Sequence, residues 1–222
     1  MRRVSIYIAL LILCLGQARA QHKPHVLSRQ DYRAQIKTAP ERRLVELVKM
    51  IPGLKLDIRY ATSNNFMHRV MYSAPRAFAR APVAEALKQI QAELKLKGLA
   101  LKIYDAYRPY AVTVDFYNMA RDTNFVADPK FGSRHNRGCA IDLTLIDLKT
   151  GKELNMPTPY DSFSAEAASD YAGTTGEQLT NRELLKAVML AHGFAALRTE
   201  WWHFDFAGYL QYELLDVPFG DL

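Results

Sequence analysis

Apolar and polar positions follow two different periods along the chain, and each period predicts one kind of element. Helical spacing, with apolar residues three or four positions apart, is clearest after Pro82. The residues of this apolar stripe are Val83, Leu87, Ile90 and Leu94. Glycine commonly follows the last turn of a helix, so the pattern predicts a helix that begins at Pro82 and ends at Gly98.

Weaker helical signals occur at three other places. A hydroxyl residue followed three positions later by glutamate forms a capping box, and this motif occurs over residues 38–41 (TAPE) and 180–183 (TNRE). The first box predicts a short helix that ends before Pro52, and the second predicts a helix that ends at Gly193. Apolar spacing over residues 112–120 predicts a further helix.

Alternation with a period of two residues predicts the strands. It covers residues 54–60, 99–107 and 140–145, and a last strand contains EWWHFDF at residues 200–206. Residues 155–178 are rich in Pro, Ser, Ala and Gly and predict a long connection of the kind that often carries function. Strands mixed with scattered helices predict a single α+β domain with a mainly antiparallel central sheet flanked by helices.

The first 20 residues have the pattern of a secretory signal peptide. Two arginines precede an apolar stretch from Ile6 to Leu15, and Ala18 and Ala20 have the spacing of a signal-peptidase site. The stretch is shorter than the ~20 apolar residues of a membrane span. We therefore expect cleavage after Ala20, a periplasmic or secreted protein and no stable membrane insertion afterwards. A short membrane anchor is the alternative.

The rest of the chain is expected to be a tail and one domain. Its charge and cysteine content indicate neither a nucleic-acid partner nor a disulfide. Residues 21–37 are polar and weakly patterned, which predicts a tail ahead of a domain over residues 38–222. Loss of residues 1–20 removes three arginines and lowers the formal net charge from +6 to +3. No Lys/Arg cluster of the nucleic-acid-binding kind remains, so we expect no nucleic-acid partner. Cys139 is then the single cysteine of the sequence, which excludes an intrachain disulfide.

The run SRHNRGCAIDLTL, residues 133–145, places a carboxylate within an apolar strand. A buried carboxylate without a partner is costly, so a positive group must meet Asp142. His135 lies seven residues earlier, and Gly138 would let the chain turn back toward the strand. Together with His203 these residues form a set of two imidazoles and one carboxylate. Such a set suits Zn²⁺ at the sheet, with a fourth position left for water.

Spacing alone leaves other interpretations open. An isolated His or Asp is more often a satisfied structural residue than a metal ligand, and the chain has no H-E-x-x-H helix. Strand alternation would place Glu200 and His203 on opposite faces, so both can face one metal only if the chain bends at Glu200. Cys139 is interpreted as a core residue. Four other histidines are interpreted as structural or incidental: His22, His25, His68 and His192.

Three motifs taken together resemble the zinc D-alanyl-D-alanine dipeptidases. They are YDAYRP, SRHNRGCAIDLTL and EWWHF, and both their order and their separations match. The resemblance runs from about Ile51 past Trp202, includes YATSNNF near its start, and so covers most of the predicted domain. Any one motif would be weak evidence, but the joint match is specific.

The resemblance implies the roles of the metal-binding and catalytic residues. One zinc ion per chain would be held by His135, Asp142 and His203. Glu200 takes the position of the catalytic base. Arg108, in YDAYRP, takes the position of an arginine that stabilises the developing oxyanion.

Further residues are implied to contact the substrate. Ser133 matches a serine near the substrate carboxylate, while Tyr60 and Asp161 match residues that hold the free ammonium group. Tyr72 is matched less closely with another tyrosine of the pocket.

Two of the assigned residues also have a structural interpretation. Arg108 lies three positions after Asp105, which could orient the guanidinium or merely form a salt bridge with it. Asp161 could cap the turn at Pro159 instead of binding a substrate.

The function implied by the resemblance is a zinc metallopeptidase that hydrolyses free D-Ala-D-Ala in the recovery or turnover of peptidoglycan fragments. The expected partner is therefore this dipeptide or a related cell-wall peptide. One alternative is a D,D-carboxypeptidase or peptidoglycan endopeptidase, which would not need a carboxylate for a free ammonium group at Asp161. Another is a non-catalytic cell-wall or zinc-binding module, which would need neither Glu200 nor Arg108.

Overall fold

A five-stranded sheet lies at the centre of the structure, a computed structural model that describes residues 24–120 and 125–222. The strands are β1 (Val26–Leu27), β2 (Leu44–Glu46), β3 (Lys55–Leu56), β4 (Phe78–Arg80), β5 (Leu99–Asp105), β6 (Ala140–Asp147), β7 (Phe194–Ala196), β8 (His203–Phe206) and β9 (Leu214–Leu215). The α-helices are α1 (Arg29–Thr38), α2 (Leu47–Met50), α3 (Ala81–Leu96), α4 (Tyr110–Met119) and α5 (Gly176–Ala191).

The central sheet has the strand order β3-β5-β6-β8-β7. Strands β3 and β5 run parallel, and the other neighbouring pairs run antiparallel. Two-stranded pairings, β2 with β4 and β1 with β9, lie outside this sheet. The predicted α+β domain with a mainly antiparallel central sheet is therefore confirmed.

Helix α3 covers the sheet with the apolar stripe predicted from its sequence. The four residues of the stripe are fully buried, and the helix contacts β5. Burial of one such side chain stabilises a fold by about 1.5–3 kcal/mol. Pro82 lies in the first turn, and Gly98 follows the helix with a φ of 73°. A left-handed φ of this kind suits glycine, which explains why the helix ends where it does.

Strand β6 is buried along almost its whole length, as its apolar sequence predicts. Ile141, Leu143 and Leu145 are fully buried on one face, and Asp142 on the other face is only 3% exposed. Antiparallel pairing places Asp142 opposite Asp105 of β5 and opposite His203 of β8. The sheet register therefore brings three polar residues of distant sequence position into one row.

Residues 29–37 of the polar segment predicted to be a tail are helical, which corrects the prediction for this part of the segment. Arg29–Thr38 is helix α1, capped by Ser28 and Asp31, which hydrogen-bond each other's backbone N–H groups. Tyr32 on this helix is only 4% exposed, and its hydroxyl accepts a hydrogen bond of 2.6 Å from the backbone N–H of Leu44. The helix is anchored by this buried aromatic residue, with Ile36 partly buried against the core, and not by a continuous apolar stripe.

Other predicted boundaries also differ from the structure. The helix expected after residues 38–41 is replaced by a 3-10 turn at Pro40–Arg42, strand β2 and the single turn α2, because β2 pairs with β4. The strand expected over residues 54–60 is limited to β3. Helix α5 begins at Gly176, so Thr180 lies inside the helix, where its hydroxyl donates to the carbonyl of Gly176.

The expected signal peptide over residues 1–20 lies outside the described residues. Within 24–120 and 125–222, no helix combines the length and the apolar character that a membrane span requires.

Candidate active site

The three predicted zinc ligands converge on one point. His135 Nε2 lies 3.2 Å from His203 Nδ1 and 3.4 Å from Asp142 Oδ1, and His203 Nδ1 lies 3.0 Å from the same oxygen. All three side chains are buried. The three atoms thus form a nearly equilateral triangle in the interior of the protein.

The outer hydrogen bonds of both imidazoles direct their lone pairs into this triangle. His135 Nδ1 lies 2.7 Å from the carbonyl oxygen of Ala106, which can only accept, so Nδ1 carries the proton of a neutral ring. His203 Nε2 lies 2.9 Å from Asp205 Oδ1, which fixes its neutral tautomer in the same way. Outer partners of this kind orient metal-binding histidines in proteins.

The triangle fits a zinc ion on its own geometry and chemistry. Zinc ligands lie about 2.0–2.2 Å from the metal, which places tetrahedral ligand atoms about 3.3–3.6 Å from one another. The observed separations of 3.0–3.4 Å are close to this range. Asp142 Oδ1 is moreover buried without a hydrogen-bond partner among the described residues. An unpaired buried carboxylate oxygen between two imidazole lone pairs calls for a cation.

The electrostatics of the cluster favour positive charge at its centre. Burial lowers the pKa of His203, but the neighbouring carboxylates of Asp142 and Asp205 raise it, to about 10. Burial raises the pKa of Asp142, yet the two imidazoles lower it well below its ordinary value. A proton or a metal ion can supply this charge, and metal binding at such a site releases protons.

Gly138 shapes the turn that brings His135 back to strand β6. Its φ of 68° lies in the left-handed region, and a Cβ atom there would meet a side-chain carbon of Leu44 at 2.5 Å. The fully buried Arg80 holds the same turn from behind, since its Nε donates a 2.8 Å hydrogen bond to the carbonyl of Arg137. The turn therefore depends both on glycine and on a buried guanidinium.

Glu200 reaches the cluster because the chain turns before strand β8 begins. The strand starts only at His203, and the residues before it form a turn in which the Glu200 N–H donates to the carbonyl of Leu197. Glu200 Oε2 consequently lies 3.8 Å from His203 Nδ1. Burial raises the pKa of Glu200, which brings it toward the range of a general base. The bend that strand alternation required is present.

Arg108 is held at the cavity wall by Asp105. Its Nε and Nη2 donate to Asp105 Oδ2 at 3.1 and 2.7 Å, and its guanidinium lies over the ring of Phe116. Only two of the five N–H groups of an arginine are needed for these bonds, so donors remain for a ligand. The predicted ion pair exists, and Arg108 also lines the cavity.

Tyr72 lies behind the cavity wall, which corrects its predicted place in the pocket. Its hydroxyl donates a 2.8 Å hydrogen bond to Asp105 Oδ1, and it is absent from the residues that line the cavity. The backbone N–H of Ala106 donates to the same oxygen at 2.8 Å. Tyr72 thus supports the carboxylate that orients Arg108.

Asp161 faces the cavity from the long connection between β6 and α5. Its φ of 59° is left-handed, a conformation that aspartate tolerates better than most residues and that often marks functional sites. Its Oδ2 accepts a 2.9 Å hydrogen bond from the hydroxyl of Tyr60. Burial and the charge of Asp142 raise the pKa of Asp161 well above its ordinary value. Among the described residues it accepts from Tyr60 and caps no turn at Pro159.

One cavity of about 230 Å³ joins these groups. Residues from every part of the site line it, and aromatic rings form much of its wall. The polar lining residues include Tyr60, Arg108, Ser133, Arg134, His135, Asp142, Asp161, Glu200 and His203, and the aromatic ones include Phe66, Phe116, Phe125 and Phe163. A space of this size can hold a ligand of about one dipeptide.

Two residues of the site were missed by sequence analysis. Tyr160 donates a 2.9 Å hydrogen bond to Asp142 Oδ2, and Asp205 Oδ1 accepts a 2.9 Å hydrogen bond from His203 Nε2. Asp205 lies two positions after His203 on the same strand face, so alternation was a usable signal for it. Cys139, in contrast, is fully buried as predicted, and burial raises its pKa to about 12.

The histidines interpreted as structural lie away from the cavity where they are described. His192, at the end of α5, pairs with Glu93 at 3.1 Å. His25 and His68 do not line the cavity, and His22 lies outside the described residues.

The chain is similar to known D-alanyl-D-alanine dipeptidases. The D-alanyl-D-alanine dipeptidase of Escherichia coli (strain K12) is 34% identical over 177 residues, covering 80% of this chain and 91% of that protein. The enzyme of the same name from Enterococcus faecalis (strain ATCC 700802 / V583) is 29% identical, covering 79% and 93%. Among solved structures, that of the LD-carboxypeptidase LdcB superimposes with a TM-score of 0.42 at 18% identity, over 78% of each chain.

A family model covers most of the chain. It is the model of the M15 peptidases, described as D-ala-D-ala dipeptidase, and it matches residues 40–219. The matched range contains the positions of His135, Asp142, His203 and Glu200. The chain belongs to the D-Ala-D-Ala dipeptidase family of the M15 peptidases.

Proposed function

We propose that the protein is an exported zinc dipeptidase that hydrolyses free D-Ala-D-Ala to D-alanine. The observation that carries this proposal is the convergence, in one cavity of about 230 Å³, of a three-atom ligand set and the buried carboxylate of Asp161. The ligand set fits a metal ion, and the carboxylate fits a substrate ammonium group. A small substrate with a free amino group satisfies both.

The ligands His135, Asp142 and His203 would hold zinc, which supplies a Lewis acid for the peptide carbonyl and lowers the pKa of a water molecule to about 7. Glu200 accepts the proton of the attacking water as the new C–O bond forms. It then returns this proton to the leaving amine as the C–N bond breaks. One carboxylate therefore serves both proton transfers.

Arg108 stabilises the charge that develops on the carbonyl oxygen. Its guanidinium keeps its charge, and Asp105 fixes its orientation before the substrate arrives. A donor that is already oriented needs no reorganisation during the reaction, which is why such groups act mainly on the transition state.

Asp161 selects a free amino terminus. In the absence of a cation its buried carboxylate is costly, and a substrate ammonium group removes that cost. A peptide with a blocked amino terminus would leave the carboxylate unpaired, at a penalty of about 1–3 kcal/mol. Tyr60 holds Oδ2 in place, and Ser133 is available in the same cavity for the substrate carboxylate.

The proposed site of action is the periplasm or the exterior, where the enzyme would recover D-alanine from peptidoglycan fragments. The arginine pair, apolar stretch and Ala18/Ala20 spacing of residues 1–20 support this part of the proposal. Amino-terminal sequencing of the exported protein should give a chain that begins at Gln21. An uncleaved protein retained in the cytoplasm would refute export while leaving the chemistry untouched.

Substrate length tests the reaction itself. Purified zinc-loaded protein should release D-alanine from D-Ala-D-Ala and much less from N-acetyl-D-Ala-D-Ala, with chelator-treated protein as the control. Equal cleavage of both would instead assign the protein as a D,D-carboxypeptidase or endopeptidase. Zinc binding without cleavage of either would indicate a non-catalytic module.

A further inference from the structure

The two carboxylate oxygens of Asp142 have different surroundings. Oδ1 lies 3.0–3.4 Å from the two imidazole nitrogens and has no hydrogen-bond partner among the described residues. Oδ2 accepts a 2.9 Å hydrogen bond from the hydroxyl of Tyr160. One oxygen is thus free for a metal ion, and the other is already engaged by the protein.

The position of the Tyr160 hydroxyl is set by packing. Its ring stacks on Tyr104 with centroids 4.4 Å apart and planes 17° apart, and the ring of Trp202 meets it edge-on at 5.5 Å. Tyr160 is only 8% exposed. A ring clamped on two sides cannot swing its hydroxyl away from Asp142 without breaking both contacts.

The asymmetry at Asp142 matters for the number of coordination positions. A carboxylate that binds zinc through both oxygens occupies two positions, whereas one that binds through a single oxygen occupies one. A catalytic zinc site has three protein ligands and keeps a position open for water or substrate. The hydrogen bond on Oδ2 opposes two-oxygen binding and so preserves that open position.

We propose that Tyr160 is a positioning residue that restricts Asp142 to one-oxygen binding of the metal. The inference rests on the zinc site of the proposed function. Among the described residues the hydroxyl hydrogen-bonds only to Asp142, and Tyr160 does not line the cavity, so its effect passes through the metal ligand and not through the substrate.

The same segment of chain carries the carboxylate that selects the substrate. Asp161 follows Tyr160 directly, and its left-handed φ of 59° lets consecutive side chains serve the metal ligand and the ammonium group. Two different tyrosine hydroxyls serve these two carboxylates. The hydroxyl of Tyr160 donates to Asp142, whereas that of Tyr60 donates to Asp161, so removing one leaves the other hydrogen bond intact.

Three matched Tyr→Phe variants test the proposal, because each loses one hydroxyl and little else. Tyr160→Phe should weaken zinc binding about 10- to 100-fold, the usual loss for an outer partner of a metal ligand. Tyr104→Phe, whose hydroxyl donates to Glu153 away from the cavity, should bind zinc as the wild type does. Tyr60→Phe should also keep the zinc affinity but raise the KM for D-Ala-D-Ala. Competition with a chromogenic chelator measures the affinities without reference to turnover.

The coordination itself is read from the Co²⁺-substituted proteins. Tetrahedral Co²⁺ absorbs visible light more strongly than higher-coordinate Co²⁺, so Tyr160→Phe should show a weaker visible band than the wild type and Tyr104→Phe. Saturating Co²⁺ confines this comparison to folded, metal-loaded protein, and a variant that is merely less stable keeps the wild-type band.

Two outcomes separate this inference from the proposed function. Wild-type zinc affinity together with a wild-type Co²⁺ band in Tyr160→Phe would overturn the role of Tyr160 alone. Failure of the wild-type protein to bind zinc would refute the proposed function, and this inference with it.

Discussion

The metal-binding part of the cavity and the substrate-selecting part are built from different kinds of structure. Asp142 and His203 face each other across two paired strands, so the backbone ladder of the sheet fixes their separation. Asp161 lies instead in a long connection and needs a left-handed backbone. Hydrogen bonds between paired strands fix the positions of the metal ligands without backbone strain. The connection that carries Asp161 can change in sequence without moving those ligands. Metal binding and substrate choice should therefore respond to different mutations.

The strongest test of this division is removal of a ligand from the sheet. His203→Ala and His135→Ala should lose stoichiometric zinc and all measurable hydrolysis, because two remaining ligands cannot hold a catalytic zinc ion. Metal analysis after dialysis measures the zinc, and D-alanine release measures the hydrolysis. His192→Ala is the matched control, since this histidine pairs with Glu93 and should keep both properties. Full zinc occupancy in His203→Ala would contradict the assigned ligand set.

Glu200 should separate metal binding from turnover. Glu200→Gln keeps the shape of the side chain and all three ligands, so zinc should remain bound at one ion per chain. Turnover should fall about 100- to 10,000-fold, the usual contribution of a general acid–base. Zinc analysis and kcat measured on the same preparation check both statements. A Gln variant that keeps its kcat would show that another group moves the proton.

The ligand strand could be predicted from sequence, whereas its alignment with the other ligands could not. Local alternation placed Asp142 on one face of a buried strand, and the apolar neighbours showed that its charge needed a partner. The pairing of Asp142 with His203 is a matter of strand register over 61 positions, which no local pattern encodes. The family resemblance indicated that Asp142 and His203 belong to one site, and the register of the two strands explains why they meet.

The features that the sequence pattern did not predict, helix α1, strand β2 and the contact of Tyr160, have physical causes as well. Helix α1 is mostly polar, and its contact with the core consists of the buried Tyr32 and the partly buried Ile36, so its sequence lacks a continuous apolar stripe. Residues 44–46 have helical apolar spacing, but pairing with β4 outweighs that preference. Tyr160 was missed because an aromatic residue in a connection is usually a packing residue. Only the structure shows its hydroxyl on Asp142.

Variants of Arg108 test whether this residue of the cavity wall stabilises the transition state. Arg108→Ala should lower kcat about 100- to 1,000-fold with a comparatively small change in KM, as for loss of one oxyanion donor. Arg108→Lys keeps the charge but not the fork of donors, so it should recover only part of the rate. Zinc content should stay at the wild-type level in both. An alanine variant that melts at lower temperature and yet keeps its kcat would make Arg108 only the structural partner of Asp105.

Asp161 tests the substrate-selecting part. Asp161→Asn removes a charge-assisted contact worth about 1.5–3 kcal/mol, which corresponds to about a 10- to 100-fold rise in KM. Zinc affinity should not change. Discrimination between D-Ala-D-Ala and its N-acetyl derivative should shrink, since the variant no longer favours a free amino group. Unchanged discrimination in the variant would remove Asp161 from substrate selection.

The pH dependence of KM sharpens the same test. The pKa of Asp161 is raised, so the carboxyl is neutral below that pKa and ionised above it. Only the ionised form pairs with an ammonium group. The KM of the wild type should therefore fall as the pH rises through this pKa, while the KM of Asp161→Asn should lack this step. Measurement of KM across the acidic and neutral range compares the two profiles.

The smallest expected effect belongs to Tyr72. Whether its removal changes kcat or KM decides whether Tyr72 lies behind the cavity wall or in the substrate pocket. Tyr72→Phe removes one of the hydrogen bonds on Asp105, while the bonds from Ala106 and Arg108 remain. Loss of about 0.5–1.5 kcal/mol of support for the guanidinium should lower kcat about 2- to 10-fold. KM should change little, because Tyr72 lies behind the cavity wall. A raised KM at constant kcat would instead restore Tyr72 to the substrate pocket where the sequence placed it.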